Sequence, residues 1–546
     1  MRASGFARFA RDPRANLLVA ALVIEVVALC LWPAVYLLSS TDDGPSKLGL
    51  MFTNRYPVIG GLVMAIKSVV DWVLPGALWT GDQLLMFTFN VLLVGFAAYA
   101  LVAWRLVALA KEVRNQEAAS PAGVRLRWIL IPLVVFQVTL IVVPGTLTTD
   151  IYNYAIYGEM PVLYGANPYV HTPGDFPQSP LYYLIPLYWH DAASVYGPVW
   201  VSLSAGVAML TRNSALADEI LMYRLIANLA HFANALLVWA IACRLHRERA
   251  GSATVAYAWN PLLLLEFALN GHNDVLMLTL ALAAVLIGTY GRLKTAAVVL
   301  GLSVATKYTS LLLAGPLFFA VARSSGGGLP TVMRRVFIGG LTMLAVVGAG
   351  YALWYEGPDT FGPAWYWMSG PRLNSFWPEP YVARLAGWVA GVLGTSYDEG
   401  WNVTLDMFKL IAKLSLVALV VVESFRVRSI EDALAATAQI ALVFLLIVNT
   451  WLMPWYYTWP LAFCAALGWE RLIVRVSAGF TVTALFVMYQ RQFSYSIVPE
   501  IGGLFLVLPL LFALAPTVYR WLRVALGGEQ SEPVETLPNR DVAPAR

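Results

Sequence analysis

Asp150 follows closely on an apolar run that ends at Val143, in the stretch Pro-Gly-Thr-Leu-Thr-Thr-Asp150. A carboxylate so near a membrane surface is partly desolvated, which suits a general base working on a lipid-linked substrate. Thr148, Thr149 and Asp150 also suit a helix N-cap, and the two roles are compatible. The stretch continues through Tyr154, Glu159, His190 and Asp191 to Tyr196, and no Lys or Arg occurs between Arg127 and Arg212. Its tyrosines offer a surface for sugars or lipid, and equally an interfacial aromatic belt. His190 and Asp191 are adjacent, and neighbouring side chains rarely chelate one ion, so the pair alone makes no metal site.

Ionisable groups inside apolar runs are the next candidates, because lipid tolerates them only for a reason. They are Glu25, Arg224, His231, Glu266, Asp274, Lys307 and Glu423. Asn270-Gly-His272-Asn-Asp274 is the densest polar cluster between two such runs; its composition fits a turn as well as a site. Lys307 has apolar sequence on both sides and needs a counter-ion or a route to water. A lipid phosphate would serve, as would a bridge to Glu266 or Asp274. Arg372 stands alone among the tryptophans and prolines of Tyr355–Tyr381, where it could meet a phosphate or a sugar. Trp455 and Tyr456 belong to a second aromatic stretch, Asn449–Pro460.

The elements that must hold these groups follow from composition. The chain has 546 residues, 59% apolar and 12% charged, with a mean hydropathy of +0.67. Soluble domains carry roughly twice that share of charge, so a soluble enzyme and a single-pass receptor are both excluded. The expectation is an all-α polytopic membrane protein with about 13 transmembrane helices of roughly 20 residues each. Its membrane domain covers 1–526, and a polar tail, 527–546, is expected to be disordered and cytoplasmic. The basic N-terminus is placed inside, and the cation-free segment 145–195 outside, as an extracytoplasmic loop. Segments 355–381 and 449–460 are further outer loops. Segments 295–306 and 309–322 are each too short to cross, and form either a broken helix or one long tilted helix. If 197–211 and 222–243 both cross, the basic run Arg244–Arg249 lands outside, against the positive-inside rule. Cys30, Cys243 and Cys464 sit in separate apolar runs and form no metal or disulfide pattern. The net charge of +4 fits basic inner loops rather than nucleic acid. Phosphate-binding Gly-rich loops, zinc-protease and serine-hydrolase signatures are absent from the sequence, which argues against a nucleotide donor.

The order of the motifs resembles the GT-C superfamily of integral membrane glycosyltransferases. An acid opens the outer loop, then come Gly-Ala-Asn167-Pro168-Tyr169 and Ser-Val-Tyr196-Gly197-Pro198. Arg224-Leu-Ile-Ala-Asn228, Trp259-Asn260-Pro261, Gly271-His272-Asn273-Asp274, Ala-Thr-Lys307-Tyr-Thr and Pro454-Trp455-Tyr456-Tyr457-Thr-Trp459-Pro460 look like the polyprenyl-phosphomannose-dependent mannosyltransferases. Most similar are the actinobacterial α-1,6-mannosyltransferases of lipomannan and lipoarabinomannan assembly. Two helices precede the acidic loop here, where many superfamily members have one.

The resemblance implies transfer of mannose from polyprenyl-phosphate-mannose, with inversion, to a lipid-anchored or oligosaccharide mannan acceptor. The reaction would take place at the extracytoplasmic face of a bacterial plasma membrane, among membrane lipids. The general base maps to Asp150. Lys307, Arg224, His272, Asp274, Arg372, Tyr196, Trp455 and Tyr456 are the candidates for donor phosphate or sugar. Tyr154, Glu159, His190 and Asp191 would support acceptor or loop. No cofactor is implied, and a divalent metal is left open. Another polyprenyl-phosphate sugar such as arabinose or glucose, a lipid-linked sugar transporter, or a nonenzymatic scaffold remain the alternatives.

Overall fold

The structure is a computed structural model that describes residues 13–38, 47–73, 81–115, 125–363, 379–449, 451–493 and 508–510. Arg372, most of the expected loop 355–381 and the tail from 527 lie outside these residues. Among the described residues every regular element is a helix, as expected where a backbone in lipid must satisfy its own hydrogen bonds.

The chain opens with α1 (Pro13–Leu38), the short pair α2 (Lys47–Arg55) and α3 (Pro57–Val73), α4 (Gly81–Asn115) and α5 (Arg127–Ile141). α1 packs along α4 and α5. After the loop that carries α6 (Asp150–Glu159) come α7 (Pro198–Thr211), α8 (Leu216–Leu245) and α9 (Ala250–Ala258). α10 (Pro261–Leu263) continues as a π turn to Leu269, breaks, and restarts as α11 (Asp274–Gly288). α12 (Leu293–Val304), α13 (Ala314–Ser324), α14 (Leu329–Ala352), α15 (Glu379–Val392) and α16 (Tyr397–Arg426) follow. α17 (Ile430–Val443) also ends in a π turn, at Val448, before α18 (Thr458–Cys464) and α19 (Leu472–Phe493).

Five described helices are long and apolar enough to cross a membrane, or seven if each bent pair counts as one span. The expected number of about 13 is not reached by helix length, because many apolar runs fold as two short pieces. The run 252–269 is broken by Trp259-Asn260-Pro261, where the Asn260 side chain accepts from the amides of Leu262 and Leu263 and caps the new helix. The pieces 261–269 and 274–288 meet at 115°. Lys307 separates α12 from a 3-10 turn, Tyr308–Leu313, with extended backbone at φ −156°. Of the two expectations for 295–322, the broken helix is the one observed.

The run 197–211 folds as α7. Its 14 residues reach about 21 Å at 1.5 Å per residue, short of a hydrocarbon core of about 30 Å. It packs on α6 rather than crossing alone. α8 then starts at the end of the molecule where α5 finishes, since Arg224 on α8 donates to the carbonyls of Ile141 and Val143. It ends where α5 begins: Trp259, just past α9, donates to the Ile129 carbonyl. Arg244–Arg249 therefore shares its end of the bundle with Arg125 and Arg127.

Candidate active site

Four chain breaks meet at the opposite end. The first is the approach to α6. Asp150 is the first residue of α6, and Thr149 is its N-cap, with no side-chain capping bond. The Asp150 carboxylate is thus not used as a cap. Its side chain keeps 17% of its surface exposed, and one oxygen lies 3.6 Å from Nδ1 of His272. A carboxylate at the first turn of a helix also gains from the helix dipole.

The second break is Asn270–Asp274, every residue of which is buried. Asn270 ties it to the first: its Oδ1 accepts from the Leu147 amide at 3.0 Å and from the Thr146 hydroxyl at 3.2 Å. This puts Asn270–Asp274 at the same end of the bundle as Asp150, a placement the sequence left open. Gly271 has φ +72°, and a Cβ there would come within 3.1 Å of the Ile151 side chain. The His272 ring is fully buried and held on all sides. Nε2 lies 3.2 Å from the Glu266 carboxylate and 3.3 Å from the Thr148 hydroxyl. Nδ1 lies 3.4 Å from the Tyr154 hydroxyl. Trp455 stacks on its face with centroids 3.9 Å apart.

The third break carries Lys307. Its ammonium donates to Asp274 Oδ1 at 2.8 Å, and the Trp459 indole donates to the same oxygen at 2.6 Å. Of the counter-ions weighed for Lys307, Asp274 is the one present. The ammonium also faces the rings of Tyr456 at 5.0 Å and Trp459 at 5.5 Å, a cation–π arrangement. Asp274 is wholly buried, and its second oxygen has no partner. The backbone of this break is held by the start of α7: the amides of Gly197 and Val199 donate to the carbonyls of Thr306 and Ala305 at 3.1 and 2.9 Å. Gly197 allows this approach, because any Cβ would run into the Ala305 carbonyl.

The fourth break, 451–457, lies within the segment 449–460 that was expected as an outer loop. Trp455 and Tyr457 are buried, and the stretch supplies the aromatic wall just described.

Burial raises the Asp150 carboxyl above the usual carboxylate range; the charges of His272 and Lys307 pull it down, and those of Asp274 and Glu266 push it up again. A raised carboxyl with partial access is a better base near neutral pH than an ordinary one. Burial likewise keeps the Tyr154 phenol neutral, well above its ordinary range, so it donates to Asn273 Oδ1 at 3.3 Å.

The remaining candidates lie elsewhere. Arg224 is fully buried, and its guanidinium donates to the carbonyls of Ile141, Val143 and Gly145. Ile141 ends α5, where helix carbonyls lack a partner, and Val143 and Gly145 follow in the loop, so Arg224 anchors the approach to Asp150. Tyr196 packs edge-on against Tyr154 at 5.0 Å, and its carbonyl accepts from Tyr169. Glu159 sits at the far end of α6, where it accepts from Ser179 at 2.9 Å; burial raises its carboxyl. His190 bonds the Tyr182 carbonyl at 3.0 Å, and Asp191 is exposed. Glu266 stood among the ionisable candidates of the apolar runs without a role in the step, and Trp459 was not among the candidates. Glu266 carried a signal, as an acid within an apolar run; Trp459 carried none beyond its motif. Among the described residues no three His, Cys, Asp or Glu side chains converge as a metal ion would require.

A bundle of apolar helices with buried charges gathered at one end, beside a partly accessible carboxylate, describes a polytopic membrane protein with a candidate active site. A family model described as alpha-(1->6)-mannopyranosyltransferase, N-terminal domain, matches residues 50–323, and one described as MptB C-terminal domain matches 382–514. The chain belongs to this alpha-(1->6)-mannopyranosyltransferase family. It is 26% identical over 383 residues to a probable alpha-(1->6)-mannopyranosyltransferase of Mycolicibacterium smegmatis, covering 61% of this chain and 64% of the relative. To alpha-(1->6)-mannopyranosyltransferase A of Mycobacterium tuberculosis it is 24% identical over 357 residues, covering 62% and 65%. With alpha-(1->6)-mannopyranosyltransferase B of Corynebacterium glutamicum it shares 25% over 237 residues, covering 42% and 38%. The chain thus spans somewhat less than two thirds of the first two relatives. No solved structure matches it.

Proposed function

We propose that this protein transfers mannose from polyprenyl-phosphate-mannose to a mannan or lipoglycan acceptor, with inversion, at the extracytoplasmic face of the plasma membrane. The observation that carries the reading is the half-open Asp150 carboxylate beside the Lys307–Asp274 pair, in a chain of this family. Asp150 removes the proton from an acceptor hydroxyl as that oxygen attacks the anomeric carbon. Inversion needs one such base, unlike the paired carboxylates of retaining hydrolases. The phosphate leaves as an anion, and the Lys307 ammonium stabilises its charge. The leaving group needs no general acid, and the step asks for no cofactor.

The test is transfer of radiolabelled mannose from synthetic polyprenyl-phosphomannose to a mannoside, by purified protein and its Asp150→Asn variant, across pH. The variant is expected to lose on the order of 100-fold or more. In the wild type the base works deprotonated. Its raised carboxyl therefore moves the acid limb of kcat/KM above the pH of about 4 at which an ordinary carboxylate titrates. Equal activity of variant and wild type would remove Asp150 as base. No transfer with any sugar of a donor panel would remove the enzyme reading.

A further inference from the structure

Glu266 is a wholly buried acid beside His272 to which neither the resemblance nor the proposed step gives a role. It sits on the π turn that ends in the Asn270–Asp274 break. A π turn swings side chains out of helical register and recurs at functional sites. Glu266 and His272 both have no exposed side-chain surface. One Glu266 oxygen takes the Asn270 amide at 2.9 Å and faces His272 Nε2 at 3.2 Å. On the other side of the ring, Nδ1 faces Asp150 at 3.6 Å, within reach of a small side-chain rotation when substrate tightens the site. Glu266 is the nearer and more deeply buried of the two carboxylates, so it holds Nε2–H and leaves Nδ1 as the nitrogen that exchanges a proton with Asp150.

We propose that Glu266 is a positioning residue, and that through His272 it turns Asp150 from a lone base into the entrance of a proton relay. This rests on the reading of Asp150 as base. The acceptor oxygen forms its bond to the anomeric carbon while the bond from that carbon to the phosphate oxygen breaks, and the phosphate keeps the electron pair. The acceptor proton passes to Asp150 and then to His272 Nδ1. The resulting imidazolium lies between two carboxylates, and Asp150 regains its charge at once. The logic is that of an acid–histidine pair serving a nucleophile or base. Other titratable groups face the relay. Asp274 and Lys307 neutralise one another beside it. Tyr154, Tyr188, Tyr196 and Tyr456 stay neutral phenols.

The experiment compares wild type with Glu266→Gln, His272→Gln and the double variant, in mannosyl transfer across pH, with melting of each purified protein as the folding control. Glu266→Gln is expected to lower kcat about 10-fold or more. It should also shift the acid limb to lower pH by about 1 unit, because a negative charge near the Asp150–His272 pair is gone and the pair holds its proton less tightly. The double variant is expected to be no slower than His272→Gln. An unmoved limb, or effects that multiply in the double variant, would overturn the relay. If Glu266→Gln does not fold, Glu266→Asp keeps the charge: its limb should stay at the wild-type pH, and a limb displaced to lower pH sinks the proposal. Activity retained by Asp150→Asn strikes the base reading. Activity lost there but unaltered in Glu266→Gln strikes the relay alone.

Discussion

Asp274 serves Lys307 and the protein at once, and the two services separate by mutation. A wholly buried carboxylate stripped of its cation is costly: breaking such a pair on one side destabilises by about 3–5 kcal/mol, whereas removing both charges costs far less. Lys307→Gln is therefore expected to melt well below wild type, and Lys307→Gln with Asp274→Asn close to it. If the ammonium also serves the leaving phosphate, the double variant stays inactive despite its restored stability. Thermal melting in detergent and mannosyl transfer on the same three proteins read both. Transfer recovered along with stability would leave Lys307 a purely structural role. Both residues stood out in the sequence for the same reason: charge in an apolar run needs an explanation. Their pairing was one of the counter-ion options, and the sequence did not choose among them, because a distance across 33 positions is not written in local spacing. Arg224 misled for the converse reason. Its partners are backbone carbonyls, which have no residue type to reveal them.

At the scale of elements, the site is made of interruptions. α10 and α17 each unwind through a π turn before the site, α12 stops at Lys307, and α6 begins at Asp150. Interrupted helices present free backbone groups, which membranes tolerate only where protein covers them. Here the start of α7 covers them, and Gly197 is the point of contact. Gly197→Ala is expected to push α7 off the Ala305 carbonyl and displace Lys307, at a stability cost of about 1–3 kcal/mol. Transfer should fall with donor saturation more than with acceptor saturation, since the ammonium and not the base has moved. Steady-state kinetics with each substrate varied would check this; an equal change in both would place the damage elsewhere. The sequence motifs marked these interruptions as polar or proline-bearing clusters. Their meaning as contacts between distant breaks required the fold: Gly197-Pro198 opens α7 and also meets the backbone of the Lys307 break.

For the molecule as a whole, the distribution of charge follows from the topology. The end of the bundle away from the site carries exposed ion pairs that join separate segments. His246 reaches Glu431 at 2.8 Å, and Arg471 reaches the same Glu431 at 3.1 Å. The site end gathers its charges inward and leaves its connecting loop without a cation. α8 runs between the two ends, and its 30 residues extend about 45 Å, more than the roughly 30 Å of a hydrocarbon core. Its termini therefore cannot share one side of a membrane without a kink, and it contains no proline. Positive charge favours the cytoplasmic side, so Arg244–Arg249 is expected inside, with the loop around His171 and Asp175 outside. In a background lacking Cys30, Cys243 and Cys464, Asp175→Cys should react with a membrane-impermeant thiol reagent on intact cells. Arg247→Cys should react only after permeabilisation. Reaction of both on intact cells would mean that α8 does not cross, and the path of the lipid-linked donor to Asp150 would have to be drawn from the other face.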